Sequence, residues 1–508
     1  MKKSTKKYKP TSKHEAFSVF SQKAIRIIFA GVASIVLFIV LFFGWRQYCF
    51  KNNLVVPNIV LLICSLILSL IIVKLFQRKD FTQRQFVITI ISVFAALFIM
   101  QLIIILFAYF YTDWDAGLAN SLADQSVSGT EWSGDGYLSM YPNNIILIAI
   151  MKAIKSIPLL GGHYVVLLAI SALCVNLAGL FTCLTVKELS SKKSAVLSTI
   201  IIALLVVLNP WFMIPYSDSF AILIPILMFY IYIKNKKWWR FAIISAMGVV
   251  GYFIKPTVAI MLIAIFAIEI ITKKPKITKT LIKRALFVGG AITYALLLKP
   301  AAAQYIGFRQ NPSAEPISFV HYLAMGQNEQ TCGAYLQEDV DESRNGTAFE
   351  FNKFCNRIAG RSFGENVDFF AKKTLVNFND GTFAWGREGT LFYARVPERN
   401  NFVTDIISDY YYSNGQNYKI FSYIRHTLWI FVLFFAAFLF FKNKNNGKEK
   451  CVLALALLGA TLFVTLFEAR ARYLYCYAPI FTVCAVLGYR NLCHFVAERH
   501  NGKKLLHR

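Results

Sequence analysis

Apolar residues run along this chain in long unbroken blocks separated by short charged connectors, with none of the strict alternation that strand faces require. A block with no polar stripe has no side to turn toward water, so each one predicts a helix that is apolar all round. Twelve blocks predict membrane spans: residues 27–45, 54–73, 86–111, 164–186, 195–208, 219–233, 241–254, 257–271, 285–298, 421–441, 451–467 and 473–487. Several fall short of the roughly 20 residues that a crossing needs. A thirteenth block, 145–160, is short, contains Pro158 and carries Lys152 and Lys155. It predicts an interfacial or re-entrant helix. Two polar stretches, 112–162 and 299–419, are too long to be simple connectors, and the second is long enough to fold on the membrane surface.

Composition agrees with the pattern. The 508 residues are 56% hydrophobic and only 16% charged, against about one quarter charged in soluble domains. The fold expected is therefore an all-α polytopic membrane protein with about 12 transmembrane helices. One short and one long extracytoplasmic region are expected to form a mixed surface domain. The net charge of +27 then has to be assigned. With the basic tail placed in the cytoplasm and 145–160 not crossing, the inner segments hold 34 of the 54 Lys and Arg residues. Only 6 of the 27 acids lie inside or within a span. Every inner loop is basic, as the positive-inside rule demands, so both termini are expected in the cytoplasm. The basicity is topology and gives no reason to expect a nucleic-acid partner; membrane lipid is the expected contact.

The organisation expected is a basic tail plus two accessory helices (1–85), a transmembrane core (86–300) with a first outer loop (112–162), an extracytoplasmic loop domain (301–420), and C-terminal helices with a basic tail (421–508). Ten cysteines include no CxxC pair, so nothing points to a metal cluster. Cys332 and Cys355 share the long outer segment and are a candidate disulfide. His163 and His426 read as interface residues.

Polar groups collect at the outer ends of the spans. Asp113 and Asp115 follow the third span, Asp218 lies in the turn between two later ones, Lys255 joins another pair, and Glu468, Arg470, Arg472 and Tyr473 join the last pair. Polar residues at this depth are costly, and these share one expected side. A carboxylate can take a proton from an attacking hydroxyl. Arginines can grip a phosphate and stabilise its departing charge. Nucleotide sugars are absent outside the cell, so the chemistry that fits is glycosyl transfer from a lipid-borne phosphate.

The order of these residues, with Tyr141-Pro142-Asn143-Asn144, Pro215-Tyr216-Ser217-Asp218, Lys255-Pro256-Thr257, the run His321–Asn328 and the run Glu468–Tyr473, resembles the GT-C superfamily of membrane glycosyltransferases. It is most similar to bacterial protein-O-mannosyltransferase-like members of Gram-positive organisms, over residues 86 to 487. The resemblance implies a polyprenyl-phosphate sugar as donor, an extracytoplasmic glycan or protein as acceptor, and an outer-face site in the plasma membrane. It places the catalytic acid on Asp113, with Asp115 as runner-up and Asp218 assisting. Arg470, Arg472 and Lys255 would hold the donor phosphate. Tyr141, Asn143, Asn144, Glu468, Tyr473, His321 and Asn328 would contact substrates. The family's Tyr-Pro-Pro is Tyr141-Pro142-Asn143 here, which leaves the acceptor open. The run 379–389 reads as a turn region, with Trp385 able to stack on a sugar. No cofactor is expected; Asp113-Trp114-Asp115 keeps a divalent metal open. The alternatives are a flippase or transporter, or a polymerase, of lipid-linked saccharides.

Overall fold

A computed structural model describes residues 12–45, 55–77, 82–158, 164–237, 239–272, 279–392, 395–441 and 447–506. The basic N-terminal tail, His163 and the basic loop around Lys276 lie outside these. Every apolar block falls on a helix. The first half contains α1 (Lys13–Phe43), α2 (Asn58–Gln77), α3 (Gln83–Ala108), α4 (Asp115–Ser128), α5 (Asp135–Met140), α6 (Asn144–Lys155), α7 (Tyr164–Leu189) and α8 (Lys192–Ile202). The middle holds α9 (Ser217–Ala221), α10 (Leu223–Lys234), α11 (Arg240–Ile254), α12 (Ala259–Thr272) and α13 (Lys279–Ile306). The long loop folds as α14 (Phe319–Met325), α15 (Gln337–Glu342), α16 (Thr347–Ala359), α17 (Phe363–Phe378), α18 (Trp385–Phe392) and α19 (Phe402–Tyr411). The chain closes with α20 (Tyr418–Ala437), α21 (Lys448–Leu466), α22 (Arg472–Tyr475) and α23 (Ala478–Leu506).

Among the described residues, seven helical stretches are long and apolar enough to cross a membrane, and three shorter apolar helices accompany them. The α6 helix has 12 residues, or about 18 Å at 1.5 Å per residue, well under the roughly 30 Å hydrocarbon core. It lies against α4 and α13, with Lys155 paired to Asp124 and Lys152 Nζ donating to the Tyr305 carbonyl at 2.6 Å. Two expectations change. The surface region is helical, not mixed: among the described residues the single β feature is an isolated bridge between Tyr111 and Arg395. The core boundary expected at residue 300 falls inside α13, which continues through Pro300 to Ile306.

The first two helices are tied into the core by buried polar groups. Asn58 donates to the Asn379 side chain and to the Val40 carbonyl, both at 2.7 Å, and its Oδ1 lies 2.9 Å from His426 Nε2. His426 is thus an interior residue that joins α2, α20 and the 379–381 turn, not an interface residue. The expected Cys332–Cys355 bridge is absent. Cys332 is disulfide-bonded, but Cys355 on α16 is free and exposed.

The α14–α16 region has its own polar core. Burial works against the Asp339 carboxylate, but hydrogen bonds from Arg357, Lys353 and Asn328 hold it down to about 2. Because its pKa is lowered on folding, the stabilisation is full above the ordinary Asp value near 4 and disappears as pH falls toward 2. It is worth about 2 kcal/mol. Limited proteolysis around α15 and α16 is expected to accelerate between about pH 4 and pH 2. Asp339→Asn should be cut rapidly already at pH 7 and show little further change on acidification.

Candidate active site

The site lies where four inter-helix turns meet the 137–144 segment and Glu388 of the long loop, and the turns that deliver Asp115 and Asp218 have a local cause. The α3 helix starts at a Thr82–Gln85 capping box and ends at Ala108, after which residues run extended to Trp114. The α4 helix then begins with Asp115 in its first turn, where a carboxylate is favoured by the helix dipole. Gly117 makes this sharp entry possible: a Cβ there would sit 1.7 Å from the Thr112 carbonyl oxygen.

The Asp218 turn is set up by a π-helical stretch, Ala203–Val207, at the end of α8. Such stretches leave carbonyls without their usual partners. Here Gln101 caps Val207, Tyr475 caps Val206, and Tyr411 and Arg425 both donate to Leu208. Asn209 and Pro210 then open a short 3-10 turn, and Ser219 Oγ clamps it on the Trp211 carbonyl at 2.6 Å. The result points Asp218 into the protein, 2% exposed.

Asp218 Oδ1 accepts from Lys255 Nζ at 2.6 Å, and its Oδ2 lies 3.6 Å from Arg472 Nε. The Arg472 guanidinium sits over Trp114, 4.7 Å from the ring centre. Its Nη1 is 3.4 Å from Glu388 Oε2, and the same oxygen is 3.5 Å from Arg470 Nη1. Arg470 is gripped more tightly from the other side: its Nε donates to Glu468 Oε1 at 2.6 Å, and Tyr473 OH donates to Glu468 Oε2 at 2.6 Å. Burial alone would raise the Glu468 pKa, but Arg470, Tyr473 and Arg472 hold it below the usual carboxylate range.

A second polar chain leads to Asp115. Tyr137 OH donates to Asp115 Oδ1 at 3.1 Å, Asn144 Nδ2 donates to Tyr137 OH at 2.7 Å, and Tyr216 OH donates to Asn144 Oδ1 at 3.2 Å. Tyr216 packs edge-on against Trp114, which closes the chain back to Arg472. Burial pushes Tyr141 up to about 12, with the charges of Asp115 and Glu468 adding to it. Tyr141, like Tyr322 and Tyr335, thus lies within the electrostatic reach of both carboxylates.

Of the residues expected from sequence, Asp115, Tyr141, Asn144, Asp218, Lys255, Glu468, Arg470, Arg472 and Tyr473 are brought together. Asp113 is exposed and makes no hydrogen bond or ion pair among the described residues. Asn143 is exposed on the rim and bonds only to Asn144, at 3.4 Å. His321 and Asn328 belong to the interior of the loop domain. His321 is 3.7 Å from Glu350, and Asn328 donates to Asp339 at 2.9 Å. Trp385 is fully buried against Trp211 and donates to the Tyr411 carbonyl, so it is not available to stack on a sugar. Glu388 and Tyr137 were missed.

Four ionic atoms at the centre of this cluster are buried with no hydrogen-bond partner: Asp218 Oδ2, Glu388 Oε2, and Nε and Nη1 of Arg472. Desolvated charges left at 3.4–3.6 Å are expensive. Among the described residues, no three His, Cys, Asp or Glu side chains come together in a way that could hold a metal ion. A family model described as "conserved hypothetical integral membrane protein" matches residues 17–492. No curated protein matches the chain.

Proposed function

We propose that this chain, which belongs to the family of conserved hypothetical integral membrane proteins, is a glycosyltransferase that moves a sugar from a polyprenyl-phosphate carrier to an extracytoplasmic acceptor. In this reading it crosses the membrane about twelve times, keeps both termini in the cytoplasm and opens its site to the outer face, in the manner of GT-C enzymes. The observation that carries the proposal is the under-coordinated ionic cluster of Arg472, Arg470, Glu388 and Asp218, joined through Trp114 and Tyr216 to the Asp115 chain. A phosphate oxygen fits the arginines, and a hydroxyl nucleophile fits the carboxylate.

The reaction balances as a single displacement. Asp115 accepts the proton of the acceptor hydroxyl while that oxygen bonds to the anomeric carbon. The bond from the anomeric carbon to the phosphate oxygen breaks, and the electron pair leaves on the polyprenyl phosphate. Arg470 and Arg472 stabilise the charge that develops there. Tyr137 orients Asp115 and is itself held by Asn144. Lys255 fixes Asp218 beside Arg472. Asp115 replaces Asp113 as the base in this account because its carboxylate is the one in the polar chain. Mass spectrometry of lipids retained by the protein purified in mild detergent tests the assignment. A polyprenyl monophosphate or its glycosylated form should be enriched over bulk lipid, and retention of bulk phospholipid alone contradicts it.

A further inference from the structure

Glu388 differs from the other acids of the site. Glu468 spends both oxygens on contacts of 2.6 Å, the length expected of strong charge-assisted bonds. Glu388 instead offers one oxygen to two guanidinium groups at 3.4 and 3.5 Å, and that oxygen has no hydrogen bond. As placed, that carboxylate oxygen gives a hydrogen bond to neither arginine. A phosphodiester donor has two unesterified oxygens, one for each guanidinium, and the monophosphate left after transfer has three.

The segment that delivers Glu388 is also unusual. Phe383 and Ala384 have φ of 55° and 66°, a left-handed conformation that costs side-chain-bearing residues. The turn is imposed by Asp380, which accepts from Thr382 N at 2.8 Å and from Ala384 N at 3.0 Å. Arg387 anchors the start of α18 on the Val376 carbonyl at 2.9 Å. The left-handed turn and the Arg387 anchor place Glu388 beside two arginines that it meets only at 3.4 and 3.5 Å.

We propose that Glu388 is a built-in stand-in for the donor phosphate, a carboxylate that keeps Arg470 and Arg472 neutralised in the empty protein and is displaced when the phosphate arrives. The proposal rests on the phosphate role given above to the two arginines. It makes Glu388 a determinant of donor affinity: the anion must be exchanged, so binding is weaker than the arginines alone would give, and product phosphate is released more readily.

The test measures binding of a polyprenyl monophosphate, without sugar, to the purified full-length protein in detergent. The proteins compared are wild type, Glu388→Gln, Glu388→Asp and the double variant Arg470→Lys, Arg472→Lys. Glu388→Gln removes the competing charge at constant shape and should bind about 10-fold or more tightly. Glu388→Asp, with the carboxylate withdrawn by one methylene, should fall between it and wild type, and it decides the matter if the Gln variant does not fold. The double Lys variant should bind more weakly than wild type. Unchanged or weaker binding in both Glu388 variants, with the Lys variant still impaired, overturns the stand-in role while leaving the phosphate site intact. Equal binding by all four proteins, or by none, overturns the phosphate site and this inference with it.

Discussion

Asp115→Asn is expected to lose about 10²- to 10⁴-fold in sugar transfer, the usual worth of general-base catalysis, while Asp113→Asn stays within a few-fold of wild type. The two carboxylates are two residues apart and chemically identical, so structure alone separates them. Asp115 opens α4 and is held by Tyr137, which Asn144 and Tyr216 support in turn. Asp113 lies on the preceding extended segment; both carboxylates are exposed, but Asp113 has no hydrogen bond or ion pair among the described residues. The amide of Asn keeps an acceptor for Tyr137 but cannot take a proton, so Asp115→Asn should still retain the lipid-linked donor. Turnover assayed in membranes, alongside donor retention on the purified protein, checks both halves. A dead Asp113→Asn with an active Asp115→Asn would return the base to the first carboxylate.

The second large effect is expected at the arginines. Arg472→Lys keeps the charge but loses the planar fork and the stacking on Trp114. It also leaves Asp218 Oδ2 without its nearest guanidinium. Losing a fixed donor to the departing phosphate is expected to cost about 10²- to 10³-fold in transfer, the usual worth of one transition-state hydrogen-bond donor. Arg470→Lys should be milder, because Glu468 and Glu388 both remain to position a point charge. Initial rates for the two single variants and the double variant, with insertion checked by size-exclusion chromatography, measure this. Near-normal rates in Arg472→Lys would reduce the arginine to an anchor at the membrane boundary.

Much of the fold was legible from sequence because lipid leaves a chain few choices. A block of apolar residues at membrane depth must satisfy its backbone internally, and a helix does so. Where the sequence misled, a long-range partner decided the outcome. His426 has an apolar neighbourhood along the chain that fits an interface, but Asn58, 368 residues away, supplies its hydrogen bond inside the bundle. His321 and Asn328 stand in a run that carries the family resemblance, yet Asp339 and Glu350 on later helices contact them inside the loop domain. Cys355 shares its segment with Cys332, but helix α16 leaves it free on the surface.

The candidate site divides in the same way. Asp218, Lys255 and Arg472 were readable as polar residues at span ends, where their cost demands a reason. Glu388 was not, because it stands in a glycine-rich run whose turn chemistry explains every other residue there. Its only local signal is a carboxylate beside Arg387, and that arginine turns to Asp380 and the Val376 carbonyl instead. What sets Glu388 apart is its approach to Arg470 and Arg472, more than 80 positions along the chain, and no periodicity in the sequence encodes that approach.

The most direct test is the fate of a polyprenyl-phosphate hexose, labelled in the sugar, incubated with membranes that contain the protein. Label should leave the lipid fraction and appear in a non-lipid acceptor, with one free polyprenyl monophosphate formed per sugar moved, and membranes carrying Asp115→Asn should leave the labelled lipid intact. If wild-type membranes change only the side of the bilayer on which the intact labelled lipid is found, the protein moves lipid-linked sugars and does not transfer them.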